Sequence, residues 1–169
     1  MAQPFAGVCA AALERQYQIV VIGDFMTSAR EQALQGLFLC LQSGVTGPQV
    51  LRSEILPTTI PNTGLLILRD GELGSPEITL SPVRYHFEHR AEIEVIVQDK
   101  DASARDLLID GLLAQIAEAV LSDQTLSGAV DFAHLGSPEF MDEAIEGAPS
   151  LKAAVVPITL EYSTSNPLT

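Results

Sequence analysis

Between Arg84 and Gln98 the chain reads RYHFEHRAEIEVIVQ. Tyr85, Phe87, Ala91, Ile93, Val95 and Val97 hold one parity. Arg84, His86, Glu88, Arg90, Glu92, Glu94 and Gln98 hold the other. Successive strand side chains point to opposite faces, so the pattern predicts one long strand with a greasy face and a charged face. Only His89 and Ile96 break the alternation. A strand of a doubly wound parallel sheet would be apolar on both sides, so this one belongs to an antiparallel or mixed sheet.

Two helices are predicted beside it. From Ser28 to Leu41, Leu34, Leu37, Phe38 and Leu41 recur at helical steps, and Ser28 with Glu31 has capping-box spacing. Gly44 and Gly47-Pro48 end this helix. The second runs from Ser103 to Leu121, with Leu108, Leu112, Ile116, Ala119 and Val120 as its core stripe and Leu107 and Leu113 widening it. Gly111 and Ala114 are expected to let it approach its neighbours closely.

Other strands follow from shorter runs. GLLILR at Gly64–Arg69 is apolar on both parities and predicts a covered strand, with Asp70-Gly71 as a turn after it. Glu72–Pro82 reads as a loop or hairpin with a short strand near Ile78 and Leu80. Ala129–Leu135 alternates, with Val130, Phe132 and His134 on one parity. Leu151–Tyr162 predicts a last strand, and Pro157, which lacks an amide donor, marks it as an edge or as bulged. The connector Ser43–Thr63 and the acidic stretch Gly136–Ser150 read as loops. Positions 5 to 18 fit a short helix or an ordered arm, and Ile19–Ile22 a short strand. The expectation is an arm or helix-strand extension over 1–24, one domain over 25–163 and a flexible tail over 164–169. The predicted fold is α+β and two-layered, a mostly antiparallel or mixed sheet with two main helices on one face.

Composition narrows the function. Nine Lys and Arg against 22 Asp and Glu in 169 residues give a formal charge of -13. No basic run exists to hold phosphates, so sequence-specific nucleic-acid binding is not expected. Neither a secretion signal nor a membrane span is read from the apolar runs. Cys9 and Cys40 have no metal-site or redox spacing and read as free thiols.

Catalytic readings fare poorly. His86, Glu88 and Glu92 share a strand face and form a nominal acid/base or metal set. Solvated or interfacial charges explain such a face more often. His86 and His89 fall on opposite faces, and Asp131 and His134 differ in parity. Asp99, Asp101, Ser103 and Asp106 lack the glycine and terminal glutamate of a calcium loop, and helix capping explains them better. No phosphate loop, nucleophile elbow, zinc helix or dinucleotide fingerprint is present.

The order of elements resembles the tail terminator, or tail completion, proteins of long-tailed bacteriophages, the group that includes the phage lambda terminator and related minor tail proteins. The carrying pieces are the helix Ser28–Leu41, the proline-marked connector, the GLLILR strand and the strand HRAEIEVIVQDKD at His89–Asp101. The helix ARDLLIDGLLAQIAEAVLSDQTLSG, closing on its D-x-T-L-x-G phrase, and the strand AAVVPITLEYST complete the set. The likeness spans roughly positions 25 to 165. Positions 1–24 and the loop Gly136–Ser150 are additions to the pattern.

This resemblance implies a structural virion protein at the head-proximal end of the tail, assembled in the host cytoplasm. It implies a ring-shaped homo-oligomer, a hexamer, that sits on the last ring of tail tube protein. The ring stops tube growth and offers a surface to the head or neck connector protein. No catalysis, cofactor or metal is implied. Arg84, His86, Glu88, Arg90, Glu92, Glu94, Asp131, Glu139, Asp142 and Glu143 are the expected interface or lumen residues. The alternatives are another head–tail joining or minor tail protein, a self-associating adaptor, or a small hydrolase or metal-binding enzyme using His86, Glu88 and Glu92.

Overall fold

The computed structural model describes residues 27–55, 59–143 and 151–168. The elements are α1 (Ala29–Gly44), β1 (Gln49–Arg52), β2 (Leu65–Glu72), β3 (Glu77–Leu80), β4 (Val83–Gln98), α2 (Ala102–Ser122), β5 (Phe132–Leu135), β6 (Glu139–Glu143) and β7 (Leu151–Thr164). Seven strands form one mixed sheet in the order β1-β2-β4-β7-β5, with β3 paired to β4 and β6 to β7. Only β1 and β2 run parallel. Both helices pack on one face, so the α+β, two-layer expectation holds. The expectations for residues 1–24, Cys9 included, lie outside the described residues.

The long strand organises the sheet. β4 pairs with β7 from Tyr85–Thr164 to Gln98–Leu151, and with β2 and β3 along its other side. Its odd positions from Phe87 to Val97 are buried under the helices. Ala33, Leu34, Leu37 and Leu41 of α1 meet them, together with Ile109, Leu112, Ile116, Ala119 and Val120 of α2. Leu107 is 75% exposed and takes no part in the stripe; Ile109 takes its place. Close helix approach comes from α1, not from Gly111 and Ala114, which are exposed. A Cβ on Gly44 would stand 2.4 Å from Ala119 Cβ.

Caps follow sequence chemistry in part. Ser28 Oγ accepts from Glu31 N at 3.2 Å, starting α1. The carboxylate of Glu31 does not return to the cap; it is held by Arg52. α2 is capped by Asp101, whose carboxylate accepts from Ser103 N, so the helix starts a residue before the expected Ser103.

Four expectations are corrected. Asp70-Gly71 is no turn: β2 runs through it to Glu72, with a register shift between Arg69 and Glu72. The connector Ser43–Thr63 contains β1. The supposed loop Gly136–Ser150 contains β6. β7 is neither an edge nor broken at Pro157. The Pro157 carbonyl accepts from Gly136 N at 2.7 Å, so it points away from β4. A strand residue's N–H and C=O point the same way, so the missing donor falls in the gap between β5 and β6. β7 runs to Thr164, which is buried.

Candidate functional site on the open sheet face

The face of the sheet opposite the helices collects the charged parity of β4. Arg84, His86, Glu88, Arg90 and Glu92 are exposed there, and Glu94 is half-buried. Arg69 reaches across from β2 to bind Glu94 at 2.8 Å, which raises the pKa of the guanidinium through that hydrogen bond. The far end of this face is apolar. Ile60, Leu65, Ile67 and Ile96 form a small second cluster, with Leu51, Leu151 and Ala153 packed against it. Ile96 breaks the alternation because this end is covered by the connector that carries Ile60.

At the other end, the sheet brings carboxylates together. Glu88 lies directly opposite Glu161 in the β4–β7 ladder, an unfavourable like-charge pairing. An open hollow of about 240 Å³ is lined by Glu77, His86, Phe87, Glu88, Asp131, Glu161 and Tyr162. Asp131 is placed by its own amide, which donates to the Glu161 carbonyl at 2.8 Å. His134 Nδ1 stands 3.7 Å from Glu161. Of the expected residues, His86, Glu88 and Asp131 thus meet; Arg84, Arg90, Glu92 and Glu94 do not line the hollow. Glu139 lies on the same open face, opposite Val155, but beside the apolar end. Asp142 and Glu143 follow it in β6; their side chains lie outside the described residues.

As an acid/base set the arrangement is incomplete. The polar contact of His86 is Thr79 Oγ1 at 3.4 Å, and Glu92 stands outside the hollow. Among the described residues, no group of three or more His, Cys, Asp or Glu has the placement to hold a metal ion. No helix among them is long and apolar enough to cross a membrane.

The sequence reading missed two polar clusters on the helix side. His89 is fully buried. Its Nε2 lies 2.5 Å from the Asp70 carbonyl, which can only accept, so Nε2 carries the proton. Nδ1 then accepts from Tyr162 OH at 3.4 Å. Burial lowers the His89 pKa and pushes the Tyr162 phenol up to about 12. Nearby, Arg52 grips both oxygens of Glu31, at 2.5 and 2.8 Å, and reaches Asp70 at 3.4 Å, while Arg30 binds Asp70 at 2.7 Å. Hydrogen bonding to Arg52 lowers the Glu31 pKa. The only trace of these clusters in the sequence is His89 itself, a polar residue on the greasy parity.

Cys40 is half-buried, its Sγ 3.4 Å from the Ala119 carbonyl, and burial raises its pKa. The raised pKa disfavours the thiolate, the reactive form of a cysteine. Neither a protein-family model nor a curated protein sequence matches the chain.

Proposed function

We propose that this chain is a structural subunit of a phage tail, acting as a ring that caps the tail tube, ends its growth and offers the head-joining surface. The observation that supports it is the open sheet face. A 16-residue strand presents Arg84, Glu88, Arg90 and Glu92 to solvent, with no described element packed over them. Among the described residues, its carboxylates belong to no group placed to hold a metal ion. A charged, uncovered sheet face suits a channel wall or a subunit contact. A wall rich in carboxylates repels phosphates and lets DNA pass without sticking. The element order supplies the rest of the reading through its resemblance to tail terminators.

The test is oligomeric state across a concentration series, by native mass spectrometry and negative-stain electron microscopy. A six-membered ring with a central channel is the expected result, and adding it to growing tail tubes should stop their elongation. A protein that stays monomeric at high concentration and leaves tube growth untouched would sink the proposal.

A further inference from the structure

The two edges of the sheet differ from each other and fit each other. On one side β1 has β2 as its partner, and no described strand lies beyond it. On the other side β5 and β6 have β7, and no described strand lies beyond them. Unpaired strand edges template pairing with another chain unless they are guarded. β1 reads QVLR and β6 reads EFMDE, with no proline or lysine in either. Phe140 and Met141 are each 55% exposed on β6.

Direction and height also match. β1 is parallel to β2 and therefore antiparallel to β4. β6 is antiparallel to β7 and therefore parallel to β4. Two copies set side by side in the same orientation thus bring β6 of one antiparallel to β1 of the next. β1 stands level with Ile93–Ile96 of β4, through Leu65–Leu68. β6 stands level with Glu94–Gln98, through Val155–Leu151. The two edge strands therefore meet without a step along the strand axis. A head-to-tail contact makes a ring where its rotation closes and a filament where it does not, and a contact without a rise is the kind compatible with a ring.

Charge disfavours the symmetric alternative. Glu139, Asp142 and Glu143 sit in the five residues of β6, so two β6 edges repel each other. β1 carries no acid, and its one arginine, Arg52, is held by Glu31 and Asp70, so the β1 edge adds no repulsion. The apolar positions also agree in face: Met141 and Leu51 belong to the open face, Phe140 and Val50 to the helix face.

We infer that the occupant of the β6 edge is the β1 edge of a second copy of this chain, joined antiparallel and head to tail into a closed ring. This rests on the ring reading above and assigns its contact. The bulkier helix layer takes the outer circumference, and the open face with Glu88 and Glu92 turns inward. A ladder this short buries less than the roughly 1,000 Å² of a stable contact, so assembly strengthens with concentration.

The experiment uses the full chain carrying Cys9→Ser and Cys40→Ser. Leu51→Cys is combined with Met141→Cys, and in a second protein with Glu139→Cys, so that two registers are sampled. Oxidation at high concentration should give a ladder of linked chains on a non-reducing gel, ending at the ring size. Each single-cysteine protein should give dimers at most. Val50→Pro offers a second reading. Val50 alternates with Gln49 and Ser53, whose amides donate inward to Gly64 and Leu68, so its own N–H faces out. This variant should keep its circular dichroism spectrum and lose its oligomers. Rings that give no ladder in either register would overturn the edge assignment and leave the ring reading standing. Monomers at every concentration would overturn both. Linking that appears only after residues 1–26 are deleted would give the edge to that segment instead, and also overturns the assignment.

Discussion

Gly71→Ala should damage this fold far more than an exposed glycine change normally does. Gly71 sits in the β2 irregularity at φ +62, a left-handed conformation. Holding an alanine there costs about 1–2 kcal/mol. Its Cβ would also stand 1.9 Å from the Arg90 carbonyl oxygen and 2.9 Å from Ala91 Cα. Both are backbone atoms of the central strand, so no side chain can swing aside. Forcing that space open adds about 1–3 kcal/mol, by analogy with overpacked cores. The sum is about 2–5 kcal/mol, a large share of the roughly 5–15 kcal/mol that holds a domain together. Gly128→Ala is the matched control. Its φ is +84 and nothing lies within 4 Å of its added Cβ, so it bears only the conformational cost. Urea unfolding followed by circular dichroism reads both. With a slope of about 2 kcal/mol per molar urea, Gly71→Ala moves the midpoint down by roughly 1–2.5 M and Gly128→Ala by less than about 1 M. Equal shifts in the two variants would refute the argument that the chain approaches itself this closely at Gly71.

Three further outcomes are expected. His89 titrates below its ordinary value of 6.5, so the unfolded chain takes up that proton first. Its contribution to stability is complete above pH 6.5 and is lost as pH falls through the folded value; His89→Gln should flatten the fall in melting temperature between pH 7 and pH 5. Arg52→Met removes the paired hydrogen bonds to Glu31 and should cost about 1 kcal/mol, because Glu31 is 41% exposed and screened. The Glu31 carboxyl should then return toward 4.5 in a carbon-detected titration, and an unmoved value would contradict the pairing. Glu88→Gln relieves the opposition to Glu161 and should stabilise by about 0.2–1 kcal/mol in thermal unfolding, whereas a loss of stability would mean that Glu88 has a partner on the folded chain.

The sequence reading located both helices, the long strand and the last strand, because each repeats a period over many residues. Alternation alone placed five charged β4 side chains and His86 on one face. β1 and β6 escaped because four or five residues bounded by turn formers carry too little pattern to separate strand from loop. Asp70-Gly71 misled for a related reason: a glycine at positive φ serves a bulge as well as a turn. Pro157 misled because an amide-less residue suits a gap between two short partners as well as an edge. Of the polar hollow, His86 and Glu88 were legible as one face of one strand. Asp131 was named from the sequence without its place beside them, and Glu77 and Glu161 were not named, since their arrival depends on how β3, the turn before β5, and β7 pair.

The two residues that break the alternation of β4 say most about how much of the face is free to meet a partner. His89 lies on the helix side because the irregular stretch of β2 leaves the Asp70 carbonyl needing a donor inside the core, and the imidazole supplies it. It marks no site; it completes a hydrogen bond. Ile96 lies on the open side because the connector carrying Ile60 packs onto that end, burying Leu65 and Ile67 as well. Glu94, next along, is already committed to Arg69. The accessible part of the face therefore runs from Arg84 to Glu92, and the hollow with Glu77, Glu88, Asp131 and Glu161 stands within it. The proposed edge pairing through β1 and β6 would use the opposite, apolar end. The proposed contact between copies and the exposed carboxylates would thus be separated along one strand, as a ring needs if its subunits are to join at one level and keep a charged wall at another.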